Sequence, residues 1–225
     1  MDKLTPLQLV QSNSLTMIIQ DEMEKLILRG EIDVGGRLNE SELAQRFGIS
    51  RGPIREAFRG LEESGLVRQE KNRGAFVREI SIEEADEIYD LREAMEDLIG
   101  RKLAQHISEE QLAELRRQVE HMEEIAASKD AALYHPLNLQ FHDTLASFTG
   151  NGKLLAVYRK LTKELLLFRL RGLSAGGGMA VSSQEHRDIV DAIAARDGEK
   201  AGATLRRHAE LSRARMHRAV NGAPN

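Results

Sequence analysis

The chain has no cysteine among its 225 residues, which excludes a disulfide framework, a cysteine-built zinc ribbon and a thiol nucleophile. No apolar run approaches membrane-spanning length, and the start, MDKLTPLQLVQSNS, has no basic region followed by an apolar core. The expected setting is the cytoplasm, with no membrane partner. An H-E-x-x-H pair is also missing, and with it the paired base of the common zinc hydrolases. A uniform excess of positive charge is absent as well: the formal net charge is -4, which argues against a basic nucleic-acid coat.

The charge that is present is unevenly placed. From Arg37 to Arg78 nine Lys/Arg stand against six Glu, a local +3, whereas residues 1–36 carry -3 and residues 79–225 carry -4. A chain of this length suits two domains. The basic segment contains SRGPIREAFRGLEESGLV, in which Ile54, Ala57, Phe58 and Leu61 form one side of a helix. Arg51, Arg55 and Arg59, four apart, form a ridge beside them.

Around that ridge the elements follow a recognisable order. Leu15, Ile18, Ile19, Met23, Leu26 and Ile27 predict a helix over 14–29, stopped at Gly30. A second helix spans Glu40 to Phe47 and stops at Gly48. Ser50 is positioned to cap the third, Pro53 falls in its first turn, and it ends near Gly65. LVRQE and AFVRE then flank the tip KNRG, predicting a β-hairpin in which Gly74 takes positive φ. The order is that of a winged helix-turn-helix. Beyond Glu79 everything reads as helix, near 82–104, 108–127, 131–149, 152–171, 182–195 and 199–219, with capping boxes at Ser81/Glu84 and Ser108/Gln111. GLSAGGGMAVSS is the one long irregular connection. The fold class is therefore mainly α: a winged helix of three helices and a small β-hairpin at 1–78, then an all-α antiparallel bundle at 79–225.

A helix-turn-helix lays its second helix in the major groove, with its N-terminal residues at base edges and flanking cations on phosphates. Arg51 and Arg55 stand where base contacts are made, and Arg59, one turn on, reaches phosphate. The alternative is a solvated face on which Arg55 or Arg59 pairs with Glu62 or Glu63. The preceding helix, the glycine turn and a hairpin tip carrying Lys71, Asn72 and Arg73 favour DNA.

The run RLNESELAQRFGISRGPIREAFRGLEESGLVRQEKNRGAFV resembles the winged-helix domain of the GntR family of bacterial transcription regulators. The resemblance implies base or phosphate roles for Arg51 and Arg55, backbone contacts near Ser50 and Gly52, and a wing tip at Asn72, Arg73 and Gly74 in the minor groove; Arg37, at the start of the basic segment, is a further expected DNA-binding residue. One departure is Ser41, where some members carry arginine.

Three of the seven histidines occupy unusual places. In HPLNLQFHDTLASF, Asn138 and His142 lie four apart on one helical face, a spacing at which two side chains chelate one ion. His186 lies on the stripe of Ile189, Val190 and Ile193, and His208 follows Leu205 by three. His186 and His208 are each 11 positions from Asp197, and so stand level in an antiparallel helical hairpin. Core or interface histidines held by hydrogen bonds are the plain alternative. Arg92 interrupts the apolar seam Ala85, Ile88, Met95, Ile99 and needs an anion, either a structural glutamate from a neighbouring helix or a ligand.

Residues 82–219 resemble the FCD effector-binding domain of the FadR-type subfamily. That resemblance implies a divalent metal, zinc first with nickel or manganese allowed, held by Asn138, His142, His186 and His208. It also implies an effector carboxylate on Arg92. Asparagine at 138 departs from the commoner aspartate.

Together these readings describe a ligand-responsive DNA-binding regulator. It is expected to be a repressor released by a small organic or sugar acid, and a homodimer on a palindromic operator, since one recognition helix reads only a half-site. Two rivals stand beside it. A metal-dependent hydrolase or lyase would use the three histidines, and a regulator could have a second domain that only dimerises.

Overall fold

The computed structural model describes residues 6–170 and 178–222. Its elements run α1 (Pro6–Leu28), β1 (Arg37–Leu38), α2 (Glu40–Phe47), α3 (Arg51–Glu63), β2 (Val67–Glu70), β3 (Gly74–Val77), α4 (Ile82–His106), α5 (Glu109–Ser128), α6 (Ala131–Phe148), α7 (Gly152–Leu170), α8 (Met179–Ala194) and α9 (Gly198–Val220). Contacts divide them into two compact units, Met1–Ser81 with Thr162–Gly172, and Ile82–Leu161 with Leu173–Asn225.

In the first unit, α1 buries Ile19, Met23, Leu26 and Ile27, while Leu15 and Ile18 from the same periodic set remain exposed. Gly30 ends the chain's first helix at positive φ, its N–H donating to Ile27 and that of Glu31 to Leu26. Helix α3 buries Ile54, Ala57, Phe58 and Leu61, the face its spacing marks. It packs against α1, where the Gln20 amide lies over Gly60 in the space a Cβ there would take. The turn before α3 is made as expected at one end only. Gly48 adopts the left-handed conformation that stops α2, but Ser50 occupies the N-cap position without donating or accepting a side-chain cap bond.

The hairpin is part of a larger sheet. β2 pairs antiparallel with β3 in the register Val67↔Val77 to Glu70↔Gly74, and β1 adds a third strand on the other side of β3 through Arg37↔Phe76 and Leu38↔Ala75. Two residues carry too little periodicity to mark a strand, so β1 is visible only in three dimensions. At the tip, Gly74 takes positive φ, and Asn72 does so as well.

The second unit is a bundle of helices, within a residue or two of the expected spans except at α8. The connection expected over 172–183 lies outside the described residues from 172 to 177, and from Met179 onward it is already helix. The Ser108/Gln111 capping box forms, with both reciprocal bonds made. The core joins Ile99 and Leu103 of α4, Leu115 and Met122 of α5, Phe141 and Leu145 of α6, Ile189 and Ile193 of α8, and Leu205 of α9. Helices α4 and α9 approach to backbone contact, because a Cβ on Gly100 would lie 2.5 Å from the carbonyl oxygen of Ala201. A Cβ on Gly202 would lie 2.9 Å from that of Asp97. This contact sets the depth at which α9 presents its side chains to the interior.

Candidate functional site

Two sets of side chains carry chemistry, one on the surface of the first unit and one inside the second. On the first, Arg37, Ser50, Arg51, Gly52, Arg55, Arg59, Asn72, Arg73 and Gly74 are all exposed. The ridge of α3 is therefore open, with its arginines engaged only loosely. Arg55 donates to Glu40 at 2.8 Å and Arg59 to Glu56 at 2.8 Å. These partners differ from Glu62 and Glu63, the ones helical spacing suggested. Glu62 instead accepts from the backbone and side-chain nitrogens of Gln69. Exposed pairs of this kind are worth little and are readily exchanged for phosphate or a base. On the wing, Arg68 and Arg73 both pair with Glu70 and lie 5.5 and 5.7 Å from the Phe76 ring centre. Their cations are thus held against an aromatic face. Arg37 lies beside Gly74, across the sheet from β2.

Inside the second unit, α6, α8 and α9 bring His142, His186 and His208 together, all buried, with one ring nitrogen of each within 4.8 Å of the others. The level placement of His186 and His208 follows from their equal distance to the α8–α9 turn, and their ring centres are 4.8 Å apart. His142 Nε2 and His208 Nε2 face each other at 3.1 Å. His208 Nδ1 lies 2.7 Å from the Glu185 carboxylate, which in turn accepts from both terminal nitrogens of Arg215 at 2.8 and 2.9 Å. Burial alone would raise the Glu185 pKa, but the bonds from His208 and Arg215 outweigh it and bring it down to about 2. His186 is fully buried. Burial first, then the neighbouring His208 and Arg215, depress its pKa well below the usual histidine value. Both of its ring nitrogens lack a hydrogen-bond partner among the described residues.

That arrangement suits a metal ion. With Nδ1–H of His208 given to a carboxylate, its Nε2 carries a lone pair. That lone pair points at another imidazole nitrogen and toward a buried imidazole with two unpaired nitrogens. Two nitrogens about 2.0–2.1 Å from one ion stand about 3 to 3.4 Å apart at ordinary coordination angles, which matches the facing pair. Asn138, one turn before His142, is half-buried. Of the other histidines, His217 is bound to Asp86 at 2.8 Å.

Arg92 is buried as its interruption of the seam implied, and its anion is Glu96, one turn further along the same helix at 3.1 Å. Tyr158 of α7 completes the group, accepting from Arg92 at 3.2 Å and donating to the same Glu96 oxygen at 2.5 Å. Burial opposes the charge on Arg92, yet Tyr158, Glu96 and Tyr89 around it outweigh that and hold its pKa above the ordinary arginine value. Arg92 Nε and Glu96 Oε2 are buried without hydrogen-bond partners among the described residues, so this pair is incompletely satisfied. Glu96 Oε1 also lies 3.6 Å from His142 Nδ1, which places Arg92 and the histidines at one polar centre. Sequence reasoning passed over Glu96, Tyr158, Glu185 and Arg215. Of these only Glu96 carried a signal, its four-residue spacing from Arg92.

The letters G-x-S-x-G do occur, at residues 172–176, outside the described residues. They lie in the chain between two helices, whereas a serine elbow turns from a strand into a helix.

A winged helix with an open arginine ridge, joined in sequence to a helical unit with a buried polar centre, is the arrangement of a two-domain DNA-binding regulator. The family models agree: residues 15–77 match the bacterial regulatory proteins of the gntR family and residues 87–211 match the FCD domain. The chain belongs to the GntR family of bacterial regulatory proteins, in the branch that carries an FCD domain. Among its relatives is the HTH-type transcriptional regulator YdhC of Bacillus subtilis, 30% identical over 89% of this chain and 87% of that protein. Another, from Paenarthrobacter nicotinovorans, is named "Probable D-xylose utilization operon transcriptional repressor" and is 30% identical over 84% of this chain and 83% of its own. A GntR transcriptional regulator from Rhodococcus sp. RHA1 has a solved structure that superposes with a TM-score of 0.76. It is 27% identical and covers 94% of this chain and all of that one. These are regulators and not enzymes, so the hydrolase reading falls. Among the described residues, no helix is long and apolar enough to cross a membrane.

Proposed function

We propose that this chain is a transcriptional repressor that binds a palindromic operator as a homodimer through residues 1–78. It leaves the DNA when a small organic or sugar acid binds at a divalent metal ion within residues 79–225. In this reading Arg51 and Arg55 meet base edges and Arg59 meets phosphate. Ser50 and Gly52 bring backbone close to the strand, and Arg37, Asn72, Arg73 and Gly74 serve the wing in the minor groove. His142, His186 and His208, joined by Asn138, hold the ion, with zinc preferred and nickel or manganese permitted. Arg92 takes the carboxylate of the effector. The observation that carries the reading is the convergence of three buried imidazoles from three helices beside a buried, incompletely satisfied arginine, in a chain whose other unit exposes an arginine ridge. The relatives named as repressors support repression as the direction of control.

Because Glu96 already neutralises Arg92, removing the arginine outright would strand a buried carboxylate. Arg92→Lys is the cleaner variant, since it keeps the charge and loses the forked geometry that grips a carboxylate. Native mass spectrometry of gently purified protein should find about one divalent ion per chain and a small acid. In titrations of organic and sugar acids, a true effector should change operator affinity about 5- to 150-fold, and DNA should change effector affinity by the same factor. Equal effector affinity in wild type and Arg92→Lys would remove the clamp role. Unchanged DNA binding at saturating effector would remove the coupling.

A further inference from the structure

The histidines of the polar centre are not supported alike. His186 has no hydrogen-bond partner for either ring nitrogen among the described residues, and His142 Nδ1 stands 3.6 Å from Glu96. His208 has a short contact, 2.7 Å, to a carboxylate that is itself forked by an arginine. All three of these groups come from a few turns of α8 and α9. Glu185 directly precedes His186 on α8, and Arg215 follows His208 by two turns on α9.

We infer that Glu185, locked by Arg215, is the positioning residue of the metal seat. It accepts a hydrogen bond from the Nδ1 proton of His208 and fixes the ring plane, so that Nε2 is the nitrogen aimed at the ion before any ion arrives. The inference rests on the metal reading above and adds residues to which no role was given there. Free histidine favours the other tautomer, with the proton on Nε2, so an Nδ1–H form needs an acceptor such as Glu185 to select it. A carboxylate behind a metal-bound imidazole also raises the basicity of the ligating nitrogen, and loss of such a partner lowers metal affinity about 10- to 100-fold. Arg215 has a separate part. With two bonds to Glu185 it prevents the carboxylate from turning toward the ion as a ligand in its own right, which keeps the donor set rich in nitrogen.

The test uses the full-length protein in two measurements. The first is zinc affinity by competition with a chromophoric chelator. Glu185→Gln and Arg215→Met should each weaken binding, the former about 10- to 100-fold. Glu123→Gln, which breaks the similar pair between Glu123 and Arg187 of α8 but touches no histidine, should leave it unchanged. The second is the histidine side-chain nitrogen spectrum of the metal-free protein, in which His208 should carry its proton on Nδ1 in wild type and shift toward the Nε2–H form in Glu185→Ala. That shift reports on the tautomer and would not accompany a general loss of packing. Zinc affinity in Glu185→Gln within threefold of wild type, or an Nε2–H tautomer for His208 in metal-free wild type, would overturn the inference. Failure of wild type itself to bind zinc, nickel or manganese would instead sink the metal reading, a result that no variant is needed to see.

Discussion

The two units place their charges in opposite ways. On α3 and the wing, Arg55, Arg59 and Arg73 stand in solvent, each resting against a glutamate one turn away or on a neighbouring element. In the helical unit Arg92, Glu96, His142, His186 and His208 are all buried, and every change there alters what its neighbours can do. Exposed pairs cost little to break, so the first surface can trade partners on meeting DNA. Buried ones are costly to unpair, so the second centre is held in one arrangement.

This contrast makes a graded set of predictions. The largest concerns Arg92→Leu, which leaves Glu96 without its cation and should cost about 3–5 kcal/mol of stability in urea unfolding. The double variant Arg92→Leu/Glu96→Leu should recover most of that. A single variant as stable as wild type would show that the buried pair is not locked and would erase the contrast. Next comes metal removal. Relative to protein with free zinc at a hundred times its Kd, the chelated protein should lose about 2.7 kcal/mol, seen as a lower Tm, and His186→Ala should show no such difference. Third is Arg55→Ala, expected to weaken binding to the preferred operator by about 1–3 kcal/mol and to flatten preference at one base pair, while Arg73→Ala acts evenly across sequences. Identical, sequence-independent losses would reduce the ridge to phosphate contacts. The smallest is Glu40→Gln. Freed from its 2.8 Å partner, Arg55 should bind the operator more tightly by less than about 1 kcal/mol, and the gain should shrink as salt rises. A larger penalty or gain would mean that the Arg55 pair is no mere surface contact.

Much of this organisation was legible in the sequence because it is local. Helical periodicity, glycine stops and one capping box act within a few residues, which is why α2, α3 and α5 fall where their spacing puts them. The level placement of His186 and His208 was legible for a related reason, since a hairpin turns sequence distance into height. What stayed hidden depends on contacts distant in sequence. β1 is two residues long and exists through its pairing with β3. Leu15 and Ile18 share the period of buried residues yet face outward, because periodicity says which residues lie together and not what covers them. Glu185 reads as one more charged residue on a helix. Only the packing of α8 against α9 brings Arg215 and His208 to it. Ser50 has the right identity and backbone for a cap, yet its hydroxyl makes no cap bond.

The glycine crossing of α4 and α9 has a consequence for the kinds of change this chain tolerates. With backbone against backbone at Gly100 and Gly202, neither helix has slack to slide, and the crossing becomes the zero mark of a scale along α9. His208 is read off that scale six positions later and Arg215 thirteen positions later. Adding or removing one residue between the mark and His208 would turn everything beyond it by about 100°, carrying the imidazole to another face of the helix. The same change beyond Arg215 would leave both readings intact. Substitution is therefore open to descendants of this chain along much of α9, while variation in length is confined to its far end.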